Sequence, residues 1–218
     1  MSNNGNKIDT RGNLPLFITL LFLIPVSFVV LMLSSRVEGH LPGFLDRSFG
    51  LAGMVTTDFS GNSDQVAAIV VQPDGKIIAA GRSTPGSGSS KAVLVRYNPD
   101  GTADTTFGVG GSVFASVLSQ CGVSDVALQT DGKIVAIGYA NDIYPPDYWV
   151  VFRFNTDGSV DPTFGTDGKY LISPATYAYA TSVAIQNDGR IVVGGHSNRG
   201  FANDVFTIMR LTSSGTLD

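Results

Sequence analysis

The chain has 218 residues, a formal net charge of -4 and 43% apolar residues, and only 15% of its residues are charged. With 26 glycines, this composition excludes a disordered charged tail and favours a β protein that is rich in turns. A mildly acidic chain without a basic cluster predicts no nucleic-acid partner. Cys121 is the single cysteine, which excludes a scaffold held by disulfides within the chain.

An apolar segment lies near the N-terminus. Residues 14–33 carry no charge, and Lys7 and Arg11 precede them. Twenty residues in a helix reach roughly 30 Å, enough to cross a bilayer, and the positive flank favours a cytoplasmic N-terminus. The small residues near Gly39 offer a cleavage site. The segment is predicted to be a transmembrane anchor or a signal peptide, and both predict export; a buried core helix is disfavoured because the segment lies outside the repeats.

Three motifs recur about every 57 residues in the rest of the chain. The first is an Asp-x-x-Phe-Gly sequence that begins at Asp46, Asp104 and Asp161. The second is Gln-x-Asp-Gly followed by a basic residue, and it begins at Gln72, Gln129 and Gln186. The third contains an arginine eight residues before the next Asp of the first motif, at Arg96, Arg153 and Arg210. A fixed period of this length is typical of stacked supersecondary units.

Each repeat predicts four short strands in a meander. In the second repeat these strands are expected at 112–117, 125–129, 133–138 and 148–154. Asp131-Gly132 predicts a hairpin with a type I′ turn between the middle strands. Those strands are apolar on both faces, which predicts sheets covered by other sheets, as in the blades of a propeller. The Asp of the first motif is expected to accept backbone N–H groups, its Phe to lie between blades, and its glycines to lead into the central strand.

The predicted organisation follows from these segments. It comprises a cytoplasmic segment (1–13), the apolar segment (14–33), a linker (34–44), blades at 45–102, 103–159 and 160–216, and the start of a further repeat (217–218). Three blades do not close a ring, since propellers commonly have four to eight. The sequence therefore predicts a fragment of a longer propeller or, alternatively, a homodimer that closes a six-bladed ring.

The motifs resemble the delta-60 repeat, a β-propeller-like repeat of large bacterial surface and secreted proteins. The first repeat carries them most fully, as LDRSFG from Leu45, QPDGK from Gln72 and RYNPDG from Arg96, and the resemblance covers residues 45–218. It implies an all-β, propeller-like array of three four-stranded blades after the apolar helix, in an exported bacterial protein, and it supplies no catalytic residues. The third repeat departs from the pattern, because RLTSSG follows from Arg210.

Calcium is the metal to consider. Its candidate ligands lie in tight loops and are Asn98, Asp100, Asp104, Asn155, Asp157 and Asp161. Hard cations prefer such oxygen ligands, but the spacing is not that of an EF-hand and the third repeat lacks the first two ligands. The turns alone explain these residues without a metal, so the preferred expectation is no cofactor.

The loops that differ between repeats are expected at the opposite end of the blades from the motifs. Aromatic residues suited to stacking on a glycan or gripping a protein segment lie in or near them: Tyr144, Tyr148, Trp149, Tyr177, Tyr179 and Phe201. We therefore expect an exported, envelope-associated module that binds a partner or serves a structural role without catalysis. The alternative is an exported propeller lyase or hydrolase, which would need carboxylates and a histidine to converge; the only histidines are His40 and His196.

Overall fold

The structure is a computed structural model that describes residues 45–59, 63–84, 86, 88–142, 144–198 and 203–218. These residues belong to one compact unit, Leu45–Asp218. Over the described ranges, no helix has the length and apolar character needed to cross a membrane. The apolar segment predicted at 14–33 lies outside the described residues.

The described residues contain eleven strands, which form three antiparallel sheets. The first sheet has the order β1 (Ser63–Val71), β2 (Ile77–Thr84), β3 (Lys91–Tyr97) and β4 (Ser112–Ala115). The second has the order β5 (Gln120–Leu128), β6 (Ile134–Asn141), β7 (Tyr148–Phe154) and β8 (Lys169–Ile172). The third contains β9 (Tyr177–Ile185), β10 (Ile191–Asn198) and β11 (Val205–Leu211). This all-β meander confirms the predicted fold class and fits a propeller.

The hairpins lie where the Asp-Gly dipeptides predict them, but the turn type is different. In the turn at 72–76 only Gly75 has a positive φ, of +83°, whereas a type I′ turn needs positive φ at both central residues. Asp74 instead uses its side chain, whose Oδ1 accepts the N–H of Lys76 at 3.1 Å. The same bond recurs in the other two sheets. The type I′ prediction was therefore wrong, because the Asp side chain stabilises a longer turn.

The short strands β4 and β8 belong to a different sheet from the one expected. β4 pairs with β3 through Leu94↔Val113, and β8 pairs with β7 through Val150↔Leu171. The strand expected to open the second repeat therefore closes the first sheet. Contacts between sheets instead concentrate on β1, β5 and β9, which lie at the other edge of each sheet. The prediction that the motif glycines lead into the central strand was wrong.

In the part of the chain that the structure describes, the core consists of two apolar clusters, one on either side of the second sheet. Ile134 and Ala136 of β6 face the cluster shared with the first sheet, while Val135 and Ile137 face the cluster shared with the third. All four are fully buried. The prediction that strands apolar on both faces lie between other sheets is confirmed for the second sheet.

Candidate functional site

The recurring motifs meet at one end of the sheets, which we call the constant end. It comprises the turns at 72–76, 129–133 and 186–190 and the connections at 98–111 and 155–168. It contains clusters of one aspartate and two cationic side chains, which we call triads. In the first triad, Asp104 Oδ2 accepts hydrogen bonds from Lys76 Nζ and Arg96 Nε, each at 2.7 Å. Asp104 Oδ1 accepts the N–H and hydroxyl of Thr106 at 3.1 and 2.7 Å. The hydrogen bond from Lys76, and then that from Thr106, hold the pKa of Asp104 well below its ordinary range.

The second triad repeats this arrangement with Lys133, Arg153 and Asp161. Asp161 Oδ2 lies 2.8 Å from Lys133 Nζ and 2.7 Å from Arg153 Nε. Burial alone would raise the pKa of Asp161, but the hydrogen bonds from Lys133 and Thr163 outweigh it and lower the pKa well below its ordinary range. The expected backbone bond to this Asp is confirmed by the N–H of Thr163 at 3.0 Å. The arginine partner was missed, although its fixed distance of eight residues from the Asp was visible in the sequence.

Each arginine also joins its repeat to the next one. The Arg96 guanidinium stacks 4.6 Å from the centroid of the Phe107 ring, and its Nη1 donates to the carbonyl of Thr156 in the following repeat. The N–H of Gly108 donates to the carbonyl of Asp157 at 2.8 Å. Phe107 is fully buried in the cluster between the first and second sheets, as expected for a residue between blades. The constant end is thus explained as the structural link between repeats.

The third triad, formed by Arg190, Arg210 and Asp218, is more open to solvent. Asp218 Oδ1 lies 3.2 Å from Arg190 Nε, and Arg210 also pairs with its carboxylate. The arginine side chains are 40% and 50% exposed, compared with 8% for the corresponding arginine of the first triad. Water therefore screens this triad more than the other two.

The predicted calcium ligands are taken up by hydrogen bonds within the turns. Asp100 Oδ1 accepts the N–H and the hydroxyl of Thr102, and Asp157 does the same with Ser159. The Asp of the first and second triads is already paired with two cations. Across the described part of the chain, no three His, Cys, Asp or Glu side chains are grouped to hold a metal ion. Calcium binding by these residues stays a prediction.

The other end of the sheets, which we call the varied end, carries the described loop residues 88–90, 116–119, 142, 144–147, 173–176 and 203–204. A groove of about 440 Å³ lies there. Its apolar lining is Leu118, Tyr144, Pro145, Pro146 and Tyr148. Tyr144 is 79% exposed. Two of the predicted ligand-binding residues, Tyr144 and Tyr148, therefore lie together on one accessible surface.

The other aromatic residues predicted to bind a ligand lie in different places in the structure. Trp149 is fully buried in the cluster between the second and third sheets, so its expected place on a ligand-binding surface is corrected to the core. Its ring packs against Gly195, where an added Cβ would lie 2.9 Å from the indole. Tyr177 and Tyr179 are half-exposed on β9. Phe201 lies outside the described residues.

A constant glycine on the second strand of each sheet lies close to the backbone of the first strand, near the varied end. A Cβ on Gly81 would lie 1.9 Å from the carbonyl oxygen of Gln65, and one on Gly138 would lie 1.9 Å from that of Gly122. Beside this glycine each sheet has a register shift, where β1, β5 and β9 carry one extra residue, as in a β-bulge. The residues that directly follow the constant glycine are Arg82, Tyr139 and His196.

These three residues and Tyr179 form a continuous set, which we call the polar-aromatic row. Arg82 Nη1 donates to Tyr139 Oη at 3.1 Å across two sheets. The Tyr139 and Tyr179 ring centroids lie 5.9 Å apart, and the Tyr179 and His196 rings are stacked at 5.5 Å. Sequence analysis found only Tyr179 of this row. The missed signal was the residue after each constant glycine, which changes from Arg to Tyr to His at the repeat period.

The row is partly solvated and has an uneven charge distribution. Arg82 has no ion pair with a carboxylate in the described ranges, and its Nε donates to Gln65 Oε1 at 3.1 Å. Burial, followed by the nearby charge of Asp147, raises the pKa of Tyr179. Asp147 itself is buried. Positive charge therefore lies at the Arg82 side of the row and negative charge near Tyr179.

Three segments of the chain, 72–107, 129–164 and 186–218, match the model of a family described as a domain of unknown function (DUF5122) beta-propeller. The first two matches run from the Gln of the second motif to the Phe of the next Asp-x-x-Phe-Gly motif, so each contains one hairpin and one triad. A search of curated proteins finds no match for the chain.

Proposed function

Because three segments of the chain match the model of this beta-propeller family of unknown function, as its delta-60-like repeats predicted, we propose that it is an exported, non-catalytic binding module of the cell envelope. Its ligand, a glycan or a protein segment, is held at the varied end. The observation that supports this most is the polar-aromatic row, in which equivalent positions of three similar sheets carry different functional groups. A module with only a structural role would not require that difference.

The chemistry of the varied end suits recognition. Tyrosine rings supply large contact areas with a polar tip and lose little conformational entropy on binding. The groove beside Tyr144 and Tyr148 and the row beside Tyr179 both combine such rings with hydrogen-bonding groups. The enzyme alternative would need carboxylates to converge on a histidine, whereas the neighbour stacked on His196 is the ring of Tyr179.

The test is a screen of the full chain in detergent micelles against glycan and peptide arrays. The double substitution Tyr144→Ser and Tyr148→Ser and the single substitution Tyr179→Ala are compared with Asp157→Asn, a matched change in an exposed turn at the constant end. We expect binding to be weakened by at least one varied-end variant and retained by Asp157→Asn. Binding that is lost only with Asp157→Asn, or a chain that binds nothing in either array, would overturn the proposal.

Export is part of the same proposal and rests on the apolar segment at 14–33. A reporter enzyme that is active only outside the cytoplasm, fused after Asp218, should be active in cells, and Leu23→Arg should abolish that activity because a charge in the apolar segment opposes insertion. The mass of the mature chain then distinguishes an intact anchor from cleavage near Gly39. Reporter activity that is unchanged by Leu23→Arg would contradict export through this segment.

A further inference from the structure

We propose that the polar-aromatic row binds a glycan through a uronic acid, with the sugar carboxylate on Arg82 and the pyranose ring against Tyr179. This inference rests on the proposed binding function and names the class of ligand. It is carried by three features of the row: a cation without an internal counter-ion, a hydroxyl held beside it, and a partly exposed aromatic ring.

Arg82 differs from the arginines of the constant end. Arg96, Arg153, Arg190 and Arg210 each pair with an aspartate, whereas the described residues give Arg82 only the neutral acceptors Gln65 and Tyr139. These two bonds use Nε and one N–H of Nη1, so the remaining N–H groups are available as a fork. A guanidinium fork matches the two oxygens of a carboxylate. The local geometry therefore favours an anionic group on the ligand.

Tyr139 adds a second polar group at the same place. An added Cβ on Gly122 would meet the Tyr139 ring and hydroxyl at 3.0 to 3.1 Å, so the ring lies across β5 where that strand has no side chain. The corresponding positions on β1 and β9 are Gln65 and Tyr179, because both lie 57 residues away. Gly122 thus allows the Tyr139 hydroxyl to reach Arg82 in the neighbouring sheet. One guanidinium and one hydroxyl suit a singly charged carboxylate better than a dianionic phosphate.

Tyr179 supplies the surface for the sugar ring. It is 40% exposed, and the stacked His196 ring holds one side of it in place. Aromatic rings present an apolar face with a polar edge, which complements the mixed surface of a pyranose. The charge of Asp147, which acts on Tyr179, disfavours a carboxylate at this side of the row. The acidic group is therefore directed to Arg82 and the uncharged part of the ligand to Tyr179.

The experiment measures binding of the full chain in micelles to a galacturonate trisaccharide and to the galactose trisaccharide of the same linkage, by calorimetry. We expect the acidic sugar to bind more tightly. Arg82→Gln should weaken its binding about 10- to 100-fold, since hydrogen bonds to a charged group contribute about 1.5–3 kcal/mol. Arg82→Lys should restore only part of this affinity because it keeps the charge and loses the fork.

Lys91→Gln is the matched control. Lys91 is an exposed cation at the start of β3, where it pairs in register with Ser83, the neighbour of Arg82. Its substitution removes the same charge from the same sheet and should leave binding unchanged. Thermal unfolding of every variant checks that the fold is retained.

The outcomes separate this inference from the proposed function. Equal binding of the acidic and neutral sugars, or binding of the acidic sugar that Arg82→Gln leaves unchanged, would overturn the uronic-acid inference while the binding function stands. Preference for a sulfated or phosphorylated sugar over the galacturonate would also overturn it. The uronic-acid inference would also be overturned if the chain bound a peptide through the varied end and bound no sugar. Failure of both arrays in the screen described above would overturn the binding function itself.

Discussion

Asp161→Asn is expected to destabilise the fold much more than the same substitution at Asp218. The two residues occupy the same position in the second and third triads, and both accept hydrogen bonds from two cationic side chains. They differ in their surroundings. The Asp161 side chain is only 3% exposed and its Arg153 partner 8%, whereas Asp218 is 18% exposed and its partners 40% and 50%.

The expected loss of stability follows from the cations that each substitution leaves without their aspartate. Asp161→Asn leaves the Arg153 cation buried against the Phe164 ring, 4.7 Å from its centroid, with the carbonyl of Ser213 as an uncharged acceptor. Removing one partner from a buried ion pair typically costs 3–5 kcal/mol. Lys133 is 29% exposed and regains water, which places the expected loss near the lower limit, about 3 kcal/mol. Asp218→Asn leaves cations that are already solvated, so its effect should be a small fraction of this.

Urea unfolding followed by the fluorescence of Trp149 is a suitable assay. Trp149 is the single tryptophan and shares its buried cluster with Phe164, so its emission reports on the packing beside the second triad. Asp161→Asn should lower the transition midpoint clearly and leave its slope unchanged, while Asp218→Asn should change the midpoint little. Equal losses for the two variants would refute the argument that burial determines the strength of these triads.

Three further results are expected. Gly138→Ala should lower the free energy of unfolding in urea by about 1–3 kcal/mol, since the added Cβ would lie 1.9 Å from the Gly122 carbonyl oxygen. Gly194→Ala should be neutral or slightly stabilising, because an added Cβ there has no atom within 4 Å. Equal losses of stability in the two variants would contradict this prediction. The aspartates of the first and second triads have lowered pKa values, so the stability they contribute is complete above about pH 5. It is lost as the pH falls through the ordinary aspartate pKa, about 3.9, towards the pKa of the folded state. The urea midpoint should therefore fall less steeply between pH 6 and pH 3 in Asp161→Asn than in the unsubstituted chain, and parallel profiles would contradict this prediction. Burial raises the pKa of the Cys121 thiol to about 11. Alkylation at pH 8, followed by mass spectrometry, should therefore be slow in the folded chain and fast in urea. Rapid labelling of the folded chain would contradict the burial of this thiol.

The sequence predicted the parts of the fold that depend on local chemistry. The Asp-Gly turns, the apolar strands and the repeat period each depend on neighbouring residues, and the structure confirms the hairpins and the strands. Strand partnership is not local, because a repeat period gives the length of a unit but not the point where one sheet ends. The segment at 112–115 was therefore assigned to the second repeat, whereas it pairs with β3 of the first sheet.

The candidate site was predicted less completely for a related reason. Trp149 follows Tyr148 at the beginning of β7 and was grouped with it, but successive side chains of a strand point to opposite faces. Tyr148 consequently lines the groove while Trp149 enters the core. Arg82 and Tyr139 were overlooked because they lie in different sheets and are separated by 57 residues in the sequence. Their only visible signal in the sequence is that each directly follows a constant glycine, Gly81 or Gly138.

The two ends of the sheets differ in what a substitution there would disturb. At the constant end Arg96 and Arg153 each bond their own aspartate, stack on their own phenylalanine and donate to a carbonyl of the next repeat, so one substitution disturbs the packing of two repeats. At the varied end the constant glycine sets the backbone through contacts of its own, and the following side chain is not needed to form the bulge. That position is Arg82 in the first sheet, Tyr139 in the second and His196 in the third, so three different functional groups occupy equivalent places. The proposed binding function makes use of this difference, whereas the constant end keeps the same ion pairs in the first and second triads.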